Sequence, residues 1–170
     1  MSGAPAAKPR GQPSNEERLE FIREFWSHFG ALPDALGVEV VAWEADRAEI
    51  RSSGPVLCRQ VGSRVWIGEV FETFASLAAG LLATEPGSAP RTISAPLAVT
   101  VRTIHHLRPS TSDHVTAEAR WIRRGRSESV VETIVRDADG KELVRALSQH
   151  AAIAESFEWT LPDRGGTTNA

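Results

Sequence analysis

The run from Trp66 to Thr84, WIGEVFETFASLAAGLLAT, constrains this chain more than any other stretch. It holds no proline, and Val70, Phe74, Leu77 and Leu81 recur at spacings of four, three and four, which puts them on one helical stripe. Glu69, Glu72, Thr73 and Ser76 fall on another side. Ala75, Ala78, Ala79 and Gly80 keep the helix slim, so that other structure can approach around much of its circumference. A helix this apolar has to be wrapped by the rest of the chain.

The residues C-terminal to this helix have the pattern of a wrapping. Leu97, Val99 and Val101 alternate with Ala98, Thr100 and Arg102, and Val115, Ala117, Ala119 and Trp121 alternate with Thr116, Glu118, Arg120 and Ile122. Period two with β-branched residues predicts strands with one face buried. Arg123-Arg124-Gly125-Arg126 is a turn leading into a strand over 127–136, and Asp137 to Lys141, with Gly140, is a hairpin turn before a strand over 142–153. Upstream, Ser14 followed by Asn15-Glu16-Glu17 marks a helix start, and Leu19, Ile22, Trp26 and Phe29 give amphipathic spacing up to Gly30. Residues 38–43 and 48–51 read as short strands around a turn, and an irregular segment, SSGPVLCRQVGS, comes next. This order predicts a segregated α+β architecture, an antiparallel sheet curled around one long helix with a short helix at the N-terminus.

Composition sets the outer bounds. A chain of 170 residues, 41% hydrophobic, supports one core and not two, so a single domain over 15–160 is expected. Residues 1–14, rich in Ala, Pro, Gly and Ser, and residues 161–170 are expected to be disordered tails. A formal net charge of -3 provides no basic field for nucleic acid. The lone Cys58 closes no internal disulfide, and no Cys/His cluster has metal-ligand spacing, so no metal or redox cofactor is expected and a reducing cytoplasm fits. MSGAPAAKPR lacks the apolar core of a secretory signal, and no apolar run approaches the ~20 residues needed to cross a bilayer, so no membrane association is expected.

"LGVEVV", "VGSRVWIGEVF", "LAVTVRTIHHLRP" and "ARWIRRGRSESVVETIVRDADGKELVRALSQHAAI", in this order and spacing, resemble the hotdog-fold acyl-CoA thioesterases of the phenylacetate-pathway type over roughly residues 32 to 155. The resemblance implies a hotdog fold, dimers joined sheet edge to sheet edge or dimers of dimers, sites at the dimer interface, and hydrolysis of an acyl or aroyl thioester to free acid and coenzyme A. It also implies that amides at the central helix start polarise the thioester carbonyl while a carboxylate farther along acts as base or nucleophile. The family commonly shows His-Gly-Gly at that start; here the positions read Ile67-Gly68-Glu69, and the family's acidic position is Ser76.

Each candidate role stands beside a plainer one. Gly68 is the oxyanion donor or a glycine needed for packing. Glu72, four residues before Ser76, is the base or nucleophile, or a solvated carboxylate. Glu69 is an alternative carboxylate or a first-turn acid that complements the helix dipole. Ser76 orients water or substrate, with no Gly-x-Ser-x-Gly elbow to make it a nucleophile. His105 and His106 are strand neighbours and point to opposite faces; His106 is in phase with Ile104 and Arg108, and either histidine could face the site. Arg108, Arg124 and Arg126, in a basic cluster with Arg123, are contacts for coenzyme A phosphates or solvated charges. Trp66 and Thr73 contribute to an acyl pocket, Trp66 alternatively to the core, and Cys58 is a structural thiol rather than a nucleophile. Two other functions use the same groups: a non-hydrolytic acyl-thioester binding protein, motivated by Ser76, and a hydratase, dehydratase or lyase with His106 and Glu72 as acid and base.

Overall fold

In a computed structural model, residues 15–29, 31–86 and 92–161 are described. The expected tails lie outside these, apart from Leu161, which is buried. In chain order the elements are α1 (Asn15–Phe29), α2 (Ala31–Ala35), β1 (Val38–Trp43), β2 (Arg47–Ser52), α3 (Gly68–Leu82), β3 (Glu85–Pro86), β4 (Thr92–His106), β5 (Val115–Arg123), β6 (Glu128–Asp137) and β7 (Glu142–Thr160). All strand pairs are antiparallel, in the order β1-β2-β5-β6-β7-β4-β3. Helix α3 touches β2, β4, β5, β6 and β7, so the sheet wraps it: this is the hotdog fold.

The wrapping works because the buried side of α3 is narrow. Ala75, Ala78 and Ala79 are essentially inaccessible, and Phe71, Phe74 and Leu81 fill the space between them and the sheet. Ala48 and Ile50 of β2, Ala117 and Ala119 of β5, and Val131 and Val135 of β6 meet them from below, alternating with exposed or half-buried neighbours as period two requires. The Trp43 indole donates to the Leu81 carbonyl at 3.0 Å, which ties β1 to the far end of the helix. Helix α1 lies over β1, where Arg23 donates to the Val40 carbonyl at 2.9 Å and Ile22 is buried in the common core.

At the β6–β7 turn Asp137 accepts from the amides of Asp139 and Lys141, and Gly140 supplies the φ of +79° that the tight reversal requires. Several expectations are corrected. The central helix begins at Gly68 and ends at Leu82, shorter at both ends than the apolar run. A short helix, α2, stands in the Leu-Pro-Asp stretch before β1. Strand β7 continues to Thr160, held by pairing of its last part with the start of β4.

The largest correction concerns β4. Its alternation predicts that Leu97, Val99 and Val101 face inward, yet Val99 and Val101 are exposed. A register shift between Val99 and Val101 puts Arg102, Ile104 and His106 on the face toward α3 instead. From Leu97 onward, the strand edge away from β7 has no strand beside it among the described residues.

Candidate active site

The start of α3 is fixed by the loops around it. The Trp66 amide donates to the Ser110 carbonyl at 2.9 Å, the Ile67 amide donates to the Cys58 carbonyl at 2.9 Å, and the Trp66 indole donates to the Ser112 carbonyl at 2.8 Å. Gly68 and Glu69 are first-turn residues whose amides have no carbonyl within the helix to bond. Helix-start amides held in this way point at whatever negative charge develops in front of them, without needing to reorganise.

His106 arrives in front of this turn from the end of β4. Its Nε2 lies 2.9 Å from Glu72 Oε1, and a Cβ at Gly68 would stand 3.6 Å from its Nδ1 and Cε1. That is ordinary van der Waals contact, so the imidazole lies close over the helix start without requiring glycine there. With Glu72 ionised, Nε2 carries the proton and Nδ1 is the free base on the Gly68 side. Glu72 and His106 are each a little under half exposed, at 46% and 44%, which keeps them within reach of water and of a ligand.

One turn further along α3, the Ser76 hydroxyl donates to the Glu72 carbonyl at 2.7 Å and accepts from Arg102 Nη1. Its proton is committed, so it is not poised as a nucleophile. Burial pulls the Arg102 guanidinium below its usual range, and the nearby charge of Glu72 pushes it back up. Ser148 lies directly across from Arg102 on β7 and shares a 2.9 Å contact with the buried ring of His150. Burial, and secondarily Arg102, push His150 below the ordinary histidine range.

A surface groove of about 350 Å³ runs beside Gly68 and His106, bounded also by Val65, Phe71, Leu107 and Arg108. Arg108 also borders a second recess of about 640 Å³ with Arg64 and Lys141. Arg64 is paired there with Asp113, and Lys141 with Asp139, whereas Arg108 has no carboxylate within 4 Å among the described residues.

The structure thus brings Gly68, Glu72, Ser76, His106 and Arg108 together. It leaves others out. Glu69 is exposed and makes none of these contacts, while the Thr73 hydroxyl is spent on the Glu69 carbonyl at 3.2 Å. His105 is exposed on the opposite face of β4, because side chains alternate along a strand. Arg124 lies toward the other end of α3, paired with Glu85 and stacked on Trp121, and Arg126 is exposed in the same turn. Trp66 is 2% exposed and packs on Phe71 and Phe74, so its bulk is core. Cys58 is buried, and that burial raises its thiol pKa, which suits a structural residue.

Sequence reasoning misses Arg102, although a signal is present: Arg102 is in phase with Ile104 and His106. Among the described residues no group of three or more His, Cys, Asp or Glu is placed to hold a metal ion, and no helix is long and apolar enough to cross a membrane.

Residues 65–144 match the family model described as the thioesterase superfamily, a span that contains α3 and every residue of the cluster except Ser148 and His150. Among solved structures, the chain is similar to a thioesterase from Haemophilus influenzae, with 21% identity, a TM-score of 0.59, and coverage of 92% of this chain and 97% of that one. It is also similar to a protein related to the thioesterase superfamily from Shewanella oneidensis, with 16% identity, a TM-score of 0.66, and coverage of 82% and 100%. A third is the PaaI protein of the phenylacetic acid degradation operon of E. coli, at 14% identity, a TM-score of 0.61, and coverage of 81% and 96%. At these identities the likeness is one of fold. No curated protein matches the sequence.

Proposed function

We propose that the chain is a thioester hydrolase of the PaaI-like kind that converts an acyl or aroyl coenzyme A thioester to the free acid and coenzyme A. The observation that carries this is the Glu72–His106 pair lying 2.9 Å apart over the Gly68 helix start. A carbonyl oxygen set against the first-turn amides would bring its carbon beside the imidazole Nδ1. Water held there loses a proton to His106, its oxygen attacks the carbonyl carbon, and the amides stabilise the oxyanion. Collapse breaks the C–S bond, and the proton returns from His106 to the leaving sulfur. Glu72 orients the ring and stabilises the imidazolium; the alternative within the same site is Glu72 itself as base.

Arg108 supports a coenzyme A carrier, since it stands at the mouth of the groove with no carboxylate within 4 Å among the described residues and a guanidinium pairs well with phosphate. The open edge of β4 and the exposed Val99 and Val101 support assembly of two chains along that edge, by analogy with the family the sequence resembles. The site needs no metal in this scheme.

The test is release of free thiol from a panel of aryl and alkyl acyl-CoAs, with Glu72→Gln and His106→Gln as variants. Loss of turnover in both is expected, and wild-type turnover in both sinks the assignment. A second reading is favoured by one observation, the serine at the family's acidic position, whose hydroxyl is bound by Arg102. Under it the chain binds acyl thioesters without hydrolysing them, and calorimetric binding with no thiol release is its signature.

A further inference from the structure

Hydrolysis by Glu72 and His106 leaves Arg102 unused, although it is the most unusual group near the site. Its side chain is half-buried on the inner face of β4. A guanidinium carries five N–H donors, and the Ser76 hydroxyl accepts one hydrogen bond from it. Among the described residues no carboxylate lies within 4 Å of it, because the nearest candidate, Glu72, is turned to His106.

The surroundings sharpen the point. Ser148 faces Arg102 across β7, and His150 stands behind Ser148; both are buried and neither is an anion. Buried polar groups continue on β6 as Thr133 and Ser129. This part of the inner sheet is donor-rich, and its one cation has no carboxylate within 4 Å among the described residues, the Glu72 charge acting on it from farther off. An apolar acyl chain laid against it would desolvate the cation for nothing in return, whereas an anion would gain charge-assisted, bidentate hydrogen bonds.

Resting on the hydrolase reading, we propose that Arg102 and Ser76, floored by Ser148, form an anion subsite that accepts the terminal carboxylate of a dicarboxylic acyl thioester. Its position suits a substrate's far end. Ser76 is eight residues beyond Gly68, about 12 Å along the helix axis, roughly the reach of a ten-carbon chain whose thioester carbonyl sits at the helix start. Arg102 then selects the acyl group while Glu72 and His106 act on the thioester. A site built to bond a charged group discriminates strongly against an analogue that lacks it.

The experiment compares decanedioyl-CoA with decanoyl-CoA, equal in carbon count and different in the end group, on the full chain and on Arg102→Met and Arg102→Lys. Thiol release gives kcat/KM, and calorimetry on the Glu72→Gln chain and on Glu72→Gln with Arg102→Met gives binding without turnover. The expected result is at least a tenfold preference for decanedioyl-CoA, lost in Arg102→Met and partly kept in Arg102→Lys. A wild-type preference for decanoyl-CoA overturns the subsite. An unchanged ratio in a folded Arg102→Met chain does so too, as does an unchanged ratio with altered mass by light scattering, which would make Arg102 a contact between chains. If neither thioester is hydrolysed yet decanedioyl-CoA binds more tightly through Arg102, the subsite stands and the hydrolase reading falls. If both are hydrolysed equally, the reverse holds.

Discussion

Replacing His106 with Gln separates a working pair from an ornamental one, because the two roles differ by orders of magnitude here. As a structural contact, the 2.9 Å bond between two side chains that are 44% and 46% exposed is screened by water. Exposed pairs of this kind contribute about 0.2–1 kcal/mol, which lowers Tm by no more than about 2–4 °C in a chain of this size. As general base, the imidazole contributes about 10²–10⁴ in rate, equivalent to about 2.7–5.4 kcal/mol of barrier. The glutamine keeps a hydrogen-bonding amide near Glu72 and cannot accept a proton near neutrality. The expected outcome is therefore a melting point within a few degrees of wild type and a fall of at least a hundredfold in kcat/KM, read as thiol release from the best thioester. Glu72→Gln should fall in the same direction, and the double variant should lose little beyond the worse single one, since groups acting as a unit are not additive. Turnover within threefold of wild type, accompanied by a melting point lowered by more than about 8 °C, would show that the pair holds the end of β4 to α3 and does no chemistry.

Three further outcomes test the fold that carries the site. Gly54→Ala should destabilise by about 2–4 kcal/mol in denaturant titration, since φ is +66° and the added Cβ would stand 2.5 Å from the Trp66 ring; a cost under about 0.5 kcal/mol contradicts this. Trp43→Phe removes the indole donor from the Leu81 carbonyl, which keeps the Thr84 hydroxyl and amide, and should cost about 0.5–1.5 kcal/mol, read from the urea midpoint at unchanged slope. His150 is held below its usual range in the folded chain, so below about pH 6.5 the unfolded chain takes up the proton first and stability falls with further acidification. Melting of His150→Gln between pH 8 and pH 5 should therefore show a shallower decline than wild type, and an equal slope removes this account.

What the sequence makes legible is what local periodicity encodes. The stripe of Val70, Phe74, Leu77 and Leu81 predicts a wrapped helix, with Phe74 and Leu81 buried and Val70 and Leu77 half-buried, and Val115, Ala117 and Ala119 predict the inward face of β5. The Asp137–Gly140 turn is legible because only certain residues accept that backbone. Strand β4 is not legible by the same means. Its register shift after Val99 turns the inward side over partway along, and nothing in an alternating pattern marks where a strand slips. That slip is also why Arg102 is not visible as a site residue in the sequence. Gly68, Glu72 and Ser76 share one helix face, and their partners come from a strand 26 and 34 residues away in sequence: His106 is legible as one of two adjacent histidines, and Arg102 is not legible. Charge alone groups Arg124 and Arg126 with Arg108, and the sheet separates them by placing their turn toward the far end of α3, beside Glu85.

The edge of β4 that no described strand covers belongs to the strand that delivers Arg102, Ile104 and His106 to the helix. Its peptide groups, unpaired by any strand among the described residues, and the face proposed for catalysis thus share one backbone, so whatever docks there also sets the tilt of those side chains. A short extended peptide that zips onto residues 97–106 would be an inhibitor without entering the groove. Under the proposed assembly along this edge, a second copy would compete for the same hydrogen bonds, and chain concentration would then act as a dial on the proposed turnover.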